Sequence, residues 1–298
     1  MSALYALLAA LSNAANVITQ HIASTSDPAG SSGWRLVVYL FRNPLWLFGW
    51  IALVGAFVFQ ALALSHGQLS VVQTLMVTEL VFGLLIRKVW IHQSIRPVAW
   101  ASAVLTCVGI GVFVAMAEPQ GGNPTPSSHA WASALAVFGG AAAILTLLAL
   151  RGSPVRRAAL FAAAAGTVWA LEATFIKSTA ATFNQYGLVG MLARWPVYAV
   201  AVGGLVGTLL VQAALHVGPL RVSQPLLVIV DPIVSIVLSV RLFEEHFTQD
   251  VTALAIAAVA FFAMCAGVVI LTQTSPESMR AGGGRGPEQA RAGAPPEQ

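Results

Sequence analysis

Ala63-Leu64-x-x-Gly67-x-Leu69-x-Val71-x-Gln73-x-Leu75-x-Val77 returns later in the chain as Ala214-Leu215-x-x-Gly218-x-Leu220-x-Val222-x-Gln224-x-Leu226-x-Val228. The spacing is the same in both copies, and both lie in apolar sequence. Each copy is followed by a carboxylate, Glu79 in the first and Asp231 in the second. Glu79 comes six residues after Gln73 and Asp231 seven after Gln224, so on regular helices the two acids do not sit on strictly equivalent faces.

Composition says what surrounds these copies. Hydrophobic residues make up 57% of the 298-residue chain and charged residues 9%. The mean hydropathy is +0.80. Soluble globular domains carry about 25% charged residues, so the chain reads as a membrane protein. The formal net charge of +4 is no sign of nucleic-acid binding, because the basic residues fall in short clusters between apolar runs.

A helical span needs about 20 mostly apolar residues. Nine such runs are present, roughly 3–22, 44–64, 69–87, 97–117, 130–150, 158–178, 187–214, 220–241 and 250–272. The fold class is therefore all-α and polytopic. Trp34–Phe41 is apolar but too short to cross, and reads as an interfacial helix or the remnant of a tenth span. No basic stretch precedes the first run, so Met1 to Ile22 reads as a retained span. The tail, 275–298, is Gly, Pro, Arg and Glu with little to bury, and is expected to be disordered.

Basic residues then orient the spans. Arg35 and Arg42 follow span 1; Arg87, Lys88 and Arg96 follow span 3; Arg151, Arg156 and Arg157 follow span 5; Arg280, Arg285 and Arg291 lie in the tail. Arg221 fits the same side, whereas Arg241 and Lys177 do not. The positive-inside rule puts the N-terminus outside and the C-terminus inside a cytoplasmic membrane.

The repeat extends beyond its strongest segment. Ala3-Leu4-Tyr5-Ala6 resembles Ala159-Leu160-Phe161-Ala162, which sets Asn16 opposite Glu172 and His21 opposite Lys177. Residues 3–117 and 158–272 then form two four-span units, with 130–150 as a connecting span. Matching spans are five apart, an odd number, so the second unit crosses in the opposite direction. Inverted repeats with ionisable groups at mid-depth are the pattern of secondary transporters.

The candidate binding residues are Glu79, Asp231, Glu172, Asn16, Gln73 and Gln224. A carboxylate at the bilayer centre costs about 2.5–3.5 kcal/mol and persists facing a cavity, paired, or carrying a proton. Pro232 follows Asp231 and is expected to loosen span 8 there. Asn13, Asn16 and Gln20 form one polar stripe on span 1, lining a cavity or bonding a neighbouring helix. Lys177 is too far from Glu172 for a good pair on one helix, and is expected to snorkel to the surface. Arg194, with Trp195 and Pro196, reads as an interfacial anchor.

Cys107 and Cys265 each begin a Cys-x-Gly, with Gly109 and Gly267, and read as small residues that let helices pack closely. The six histidines lie mostly near span ends, without metal-ligand spacing. No zinc-protease, nucleophile-elbow, phosphate-loop or Cys-x-x-Cys motif is present, so neither enzymatic chemistry nor a cofactor is expected.

The chain resembles the drug/metabolite transporter superfamily, whose members are built from two inverted EamA-like repeats. The resemblance covers nearly all of 3–272. It rests on Ala61-Leu62-Ala63-Leu64 and Gln212-Ala213-Ala214-Leu215 at the span junctions, with Gln224-Pro225 at a span start where the first copy has Gln73-Thr74. The family's glutamate at the end of that span resembles Glu244 or Glu245. The nine-span layout and Arg42-Asn43-Pro44-Leu45-Trp46-Leu47-Phe48-Gly49 look most like the NIPA magnesium-transporter branch. Where that branch carries Gly-Glu and then Asn, this chain has Gly55-Ala56 and Phe59.

The expected function is alternating-access transport of a small solute, driven by a proton or cation held at the carboxylates. Two alternatives stand beside it: a divalent-cation pathway using the acids as ligands, and a non-transporting membrane subunit serving a partner. The lipid bilayer is the expected surroundings, nucleic acid is not an expected partner, and Gly203-Gly204 and Gly207 offer a surface for a homodimer.

Overall fold

Nine runs of apolar helix long enough to cross a membrane dominate the computed structural model, which describes residues 1–25 and 43–274. They are span 1 (Ser2–Ala23), span 2 (Pro44–His66), span 3 (Leu69–Val89), span 4 (Pro97–Ala117), span 5 (Ser128–Ala149), span 6 (Pro154–Leu192), span 7 (Pro196–Val217), span 8 (Leu220–Leu242) and span 9 (Val251–Thr274). Their surfaces carry many exposed large apolar side chains, such as Ile51, Val104, Leu147, Leu205 and Phe262, as expected where lipid is the solvent. The protein is an all-α, multi-pass membrane protein. The Trp34–Phe41 segment, Arg35, Arg42 and the tail lie outside the described residues.

Several spans begin where the sequence supplies a start signal. Pro44, Pro97, Pro154 and Pro196 each occupy the first turn, where a missing N–H leaves nothing unpaired. Asn43 and Ser153 accept a hydrogen bond from the first turns of spans 2 and 6. Span 6 differs most from its expected bounds. Its helix runs for 39 residues and kinks at Gly187, whose φ of 68° falls in the left-handed region. Span 7 accordingly starts at Pro196 and not at 187.

Span 3 is two helices, Leu69–Met76 and Glu79–Val89, joined by a turn at Val77–Thr78. Val77 N–H donates to Thr74, Thr78 to Leu75 and Leu80 to Val77, which are three-residue closures in place of four. Span 8 carries Pro225 and Pro232 yet is one unbroken helix, which corrects the expected loosening beside Asp231. In membranes, neighbouring helices commonly compensate for an internal proline. Span 5 contains a wider π turn at Leu135–Gly139.

Because the spans alternate in direction, Met1, the Gly67 turn and the linkers after spans 4 and 8 share one face, here the N-terminal face. There β1 (Gln120–Gly121) pairs antiparallel with β2 (Glu245–His246), in the register Gln120 to His246 and Gly121 to Glu245. Asn123 N–H also donates to Phe243 and Thr248 N–H to Ala117, so the two linkers are tied together. The opposite, basic face holds the turns after spans 3, 5 and 7.

Helix contacts follow a regular pattern. Span 1 packs on spans 2 and 3; span 6 packs on spans 7 and 8; span 3 meets span 8 and span 4 meets span 9. The span 4–span 9 crossing is close because of two glycines. A Cβ on Gly109 would stand 2.7 Å from Ala260 O and Met264 N, and one on Gly267 would stand 2.9 Å from Ser102 O and 3.0 Å from Thr106 N. Ser102 and Ala260, Thr106 and Met264, and Gly109 and Gly267 are each 158 residues apart, so the contact is reciprocal. Cys107 is exposed and Cys265 partly buried, so the close packing belongs to the glycines two residues on and not to the cysteines.

Candidate functional site

Span 3 brings Glu79 to the first residue of its second half-helix, where the positive end of the helix dipole favours a negative group. Asn13 Nδ2 of span 1 donates to Glu79 Oε2 at 2.5 Å. The polar stripe on span 1 therefore faces the bundle. One turn on, Asn16 is buried and its Oδ1 has no hydrogen-bond partner. Gln73 of span 3 is 2% exposed with Nε2 unpaired. Unpaired buried amides are uncommon and call for an explanation.

Asp231 sits midway along span 8, accepting from Ser235 Oγ at 3.1 Å. Span 6 reaches it through Gly166, where a Cβ would stand 2.9 Å from Val230 Cβ and 3.2 Å from Asp231 N. Both Glu79 and Glu172 lie within electrostatic reach of Asp231. Glu172 lies against Gly203 and Gly204 of span 7, where a Cβ on Gly204 would stand 3.0 Å from its Oε1. Gly207 similarly accommodates Trp169. These three glycines serve packing within the chain.

Asp231 of span 8 thus has Glu79 of span 3 and Glu172 of span 6 within electrostatic reach, and Asn13 of span 1 is an added partner of Glu79. Gln224 is half-buried, one residue after buried Ser223, whose Oγ also lacks a partner. Among the described residues, no three His, Cys, Asp or Glu side chains group closely enough to hold a bare metal ion. A cavity of about 550 Å³ opens elsewhere, between spans 5, 6 and 7, lined by Trp131, Tyr186, Arg194 and Trp195. Arg194 stacks over Tyr186 there, 3.7 Å from the ring centre.

Lys177 does not snorkel. It is 7% exposed, and its Nζ lies 2.6 Å from Glu245 Oε1. Glu245, 1% exposed, also accepts from Leu69 N–H at 2.6 Å, Ser70 N–H at 3.4 Å and Ser70 Oγ at 2.9 Å. Phe243 lies beneath the ammonium, 4.8 Å from Nζ to the ring centre. Sequence reasoning missed this cluster because Glu245 stands in a short linker where acids are usually solvated. The available signal was a lysine inside a span, which needs a partner.

A multi-pass helical membrane protein with carboxylates carried on three of its spans is the class these features define. Across known proteins, the chain is 27% identical over 280 residues to an uncharacterized protein of Corynebacterium glutamicum (strain ATCC 13032), covering 92% of this chain and 96% of that one. No family model matches the chain, and no solved structure matches it.

Proposed function

We propose that the protein is a secondary transporter that moves a small solute across the cytoplasmic membrane by alternating access. The observation that carries this reading is that spans 3, 6 and 8 each bear a carboxylate, Glu79, Glu172 and Asp231, with Glu79 bonded to Asn13 of span 1, Glu172 set against Gly203 and Gly204 of span 7, and Asp231 beside Gly166 of span 6. Acids at that depth are functional by default, because insertion selects against them. The one lysine within the spans' interior near them, Lys177, is committed to Glu245. The cluster therefore has a negative character that suits a proton, a cation or a cationic group on the solute. Asn16 and Gln73 add unpaired amide atoms able to bond a polar solute.

The duplicated, inverted arrangement is part of the proposal. It is supported by the repeated run, by the matching pairs span 1–span 2 and span 6–span 7, and by the reciprocal glycine crossing. So is membership of the drug/metabolite transporter superfamily, which the repeat and the junction motifs support. The basic face lies in the cytoplasm on this reading, with the N-terminus outside.

The test is ligand-induced thermal stabilisation of the purified protein against small metabolites and divalent cations, in acid and neutral buffer. An organic solute should raise the melting temperature, and Glu79→Gln with Asp231→Asn should abolish the shift. A shift with magnesium or manganese, lost in Asp231→Asn, would establish the cation pathway instead. Ligand shifts untouched by the double substitution would remove the carboxylates from the mechanism.

A further inference from the structure

Glu245 is the most heavily engaged ionised group described. It joins three separate segments: the start of span 3 through Leu69 and Ser70, the interior of span 6 through Lys177, and the linker between spans 8 and 9. Two further ties, the β1–β2 pair and the Asn123 and Thr248 backbone bonds, hold that linker to the one after span 4. Separating the spans at this face strips the carboxylate of an ammonium, two backbone amides and a hydroxyl together. An uncompensated charge left in such a place is strongly disfavoured.

The repeat shows what stands at the corresponding places on the basic face. The turns after spans 3 and 8 each contain a non-glycine residue in the left-handed region, His92 with φ 53° and Glu244 with φ 57°. The next residue is Gln93 in the first turn and Glu245 in the second. Leu69-Ser70 corresponds to Leu220-Arg221, and Lys177 to His21. The set Glu, Lys, Ser on one face is Gln, His, Arg on the other. No carboxylate stands among the second set, and Arg221 is exposed. The same set of residue types does not recur there.

We propose that Glu245 and Lys177 form a latch that holds the N-terminal face closed over the three carboxylates. This rests on the transport reading. Outward opening requires the latch to part.

Site-directed labelling tests it without knowledge of the solute. Cys107 and Cys265 are first replaced by serine. Thr74→Cys, one turn below Ser70, and Thr78→Cys, beside Glu79, then serve as reporters, because both threonines are buried. A membrane-impermeant methanethiosulfonate is applied to intact cells and to inside-out vesicles. With the latch intact, Thr74→Cys should resist the reagent from outside. Glu245→Gln and, independently, Lys177→Met should each speed its labelling by at least about tenfold. Unchanged rates in both variants would overturn the latch. Faster labelling at Thr74→Cys with Thr78→Cys closed from both sides would keep the latch and overturn alternating access.

Discussion

Span 3 and span 8 carry the same run of residues, yet span 3 breaks without a proline and span 8 stays continuous with two. The difference traces to one residue. Glu79 is six residues beyond Gln73, where Asp231 is seven beyond Gln224. On a regular helix the missing residue would leave Glu79 about 100° from the orientation of Asp231. Three-residue closures turn each residue by about 120° instead of about 100°, so the three at Val77, Thr78 and Leu80 recover roughly 60° of the shortfall. The closures run from Thr74 to Leu80 of span 3 and bracket Glu79, whereas span 8 is continuous helix over the matching stretch. The break turns Glu79 part of the way back toward the orientation of Asp231.

That account is easiest to break at its longest lever. Deleting Ile229 from span 8 should swing Asp231 by about 100° out of the cluster and abolish any ligand-induced stabilisation. Inserting one alanine between Val77 and Thr78 should let span 3 run as a regular helix with Glu79 still facing inward, and should leave the ligand shift measurable. Equal damage from both changes would show that the break has another cause.

The two faces can be compared in the same way. Lys177→Met should cost about 3 kcal/mol of stability in detergent, as Glu245 loses its counter-charge while buried. Gln93→Ala, at the corresponding turn, should cost no more than about 0.5 kcal/mol. Thermal unfolding of the pair reads the asymmetry directly.

Where the halves are alike, matched substitutions should act alike. Gly109→Val and Gly267→Val each force a side chain onto backbone atoms of the facing helix, and each should destabilise by about 2 kcal/mol. A large disparity in melting temperature would break the reciprocity. A smaller effect than at the glycines is expected at Asn13→Ala, which removes the amide bonded to Glu79 and should cost about 1 kcal/mol, the scale of hydrogen bonds between membrane helices.

Much of this was legible in the sequence, and the reasons are physical. Hydrocarbon demands length and apolarity from a helix, so eight of the nine spans start within a few residues of the expected positions. Span 6 ran on past 178 because Thr179 to Tyr186 is polar enough to read as a loop, while nothing before Gly187 stops a helix. The acids announced themselves by their cost in lipid. Their convergence did not, since it depends on Gly166 admitting span 8 to span 6. Glu245 was hidden because its partners are 68 and about 175 residues away, beyond any local pattern.

The crossing of spans 4 and 9 also carries a record of ancestry. On the duplicated reading, Gly109 meets the counterparts of the residues that Gly267 meets. That is how two identical chains touch across a two-fold axis, each presenting the same patch to the other. A half-length ancestor inserted in both orientations would have made this contact between two copies of itself. On that reading, fusion would have left a joint where each glycine is still answerable to the other.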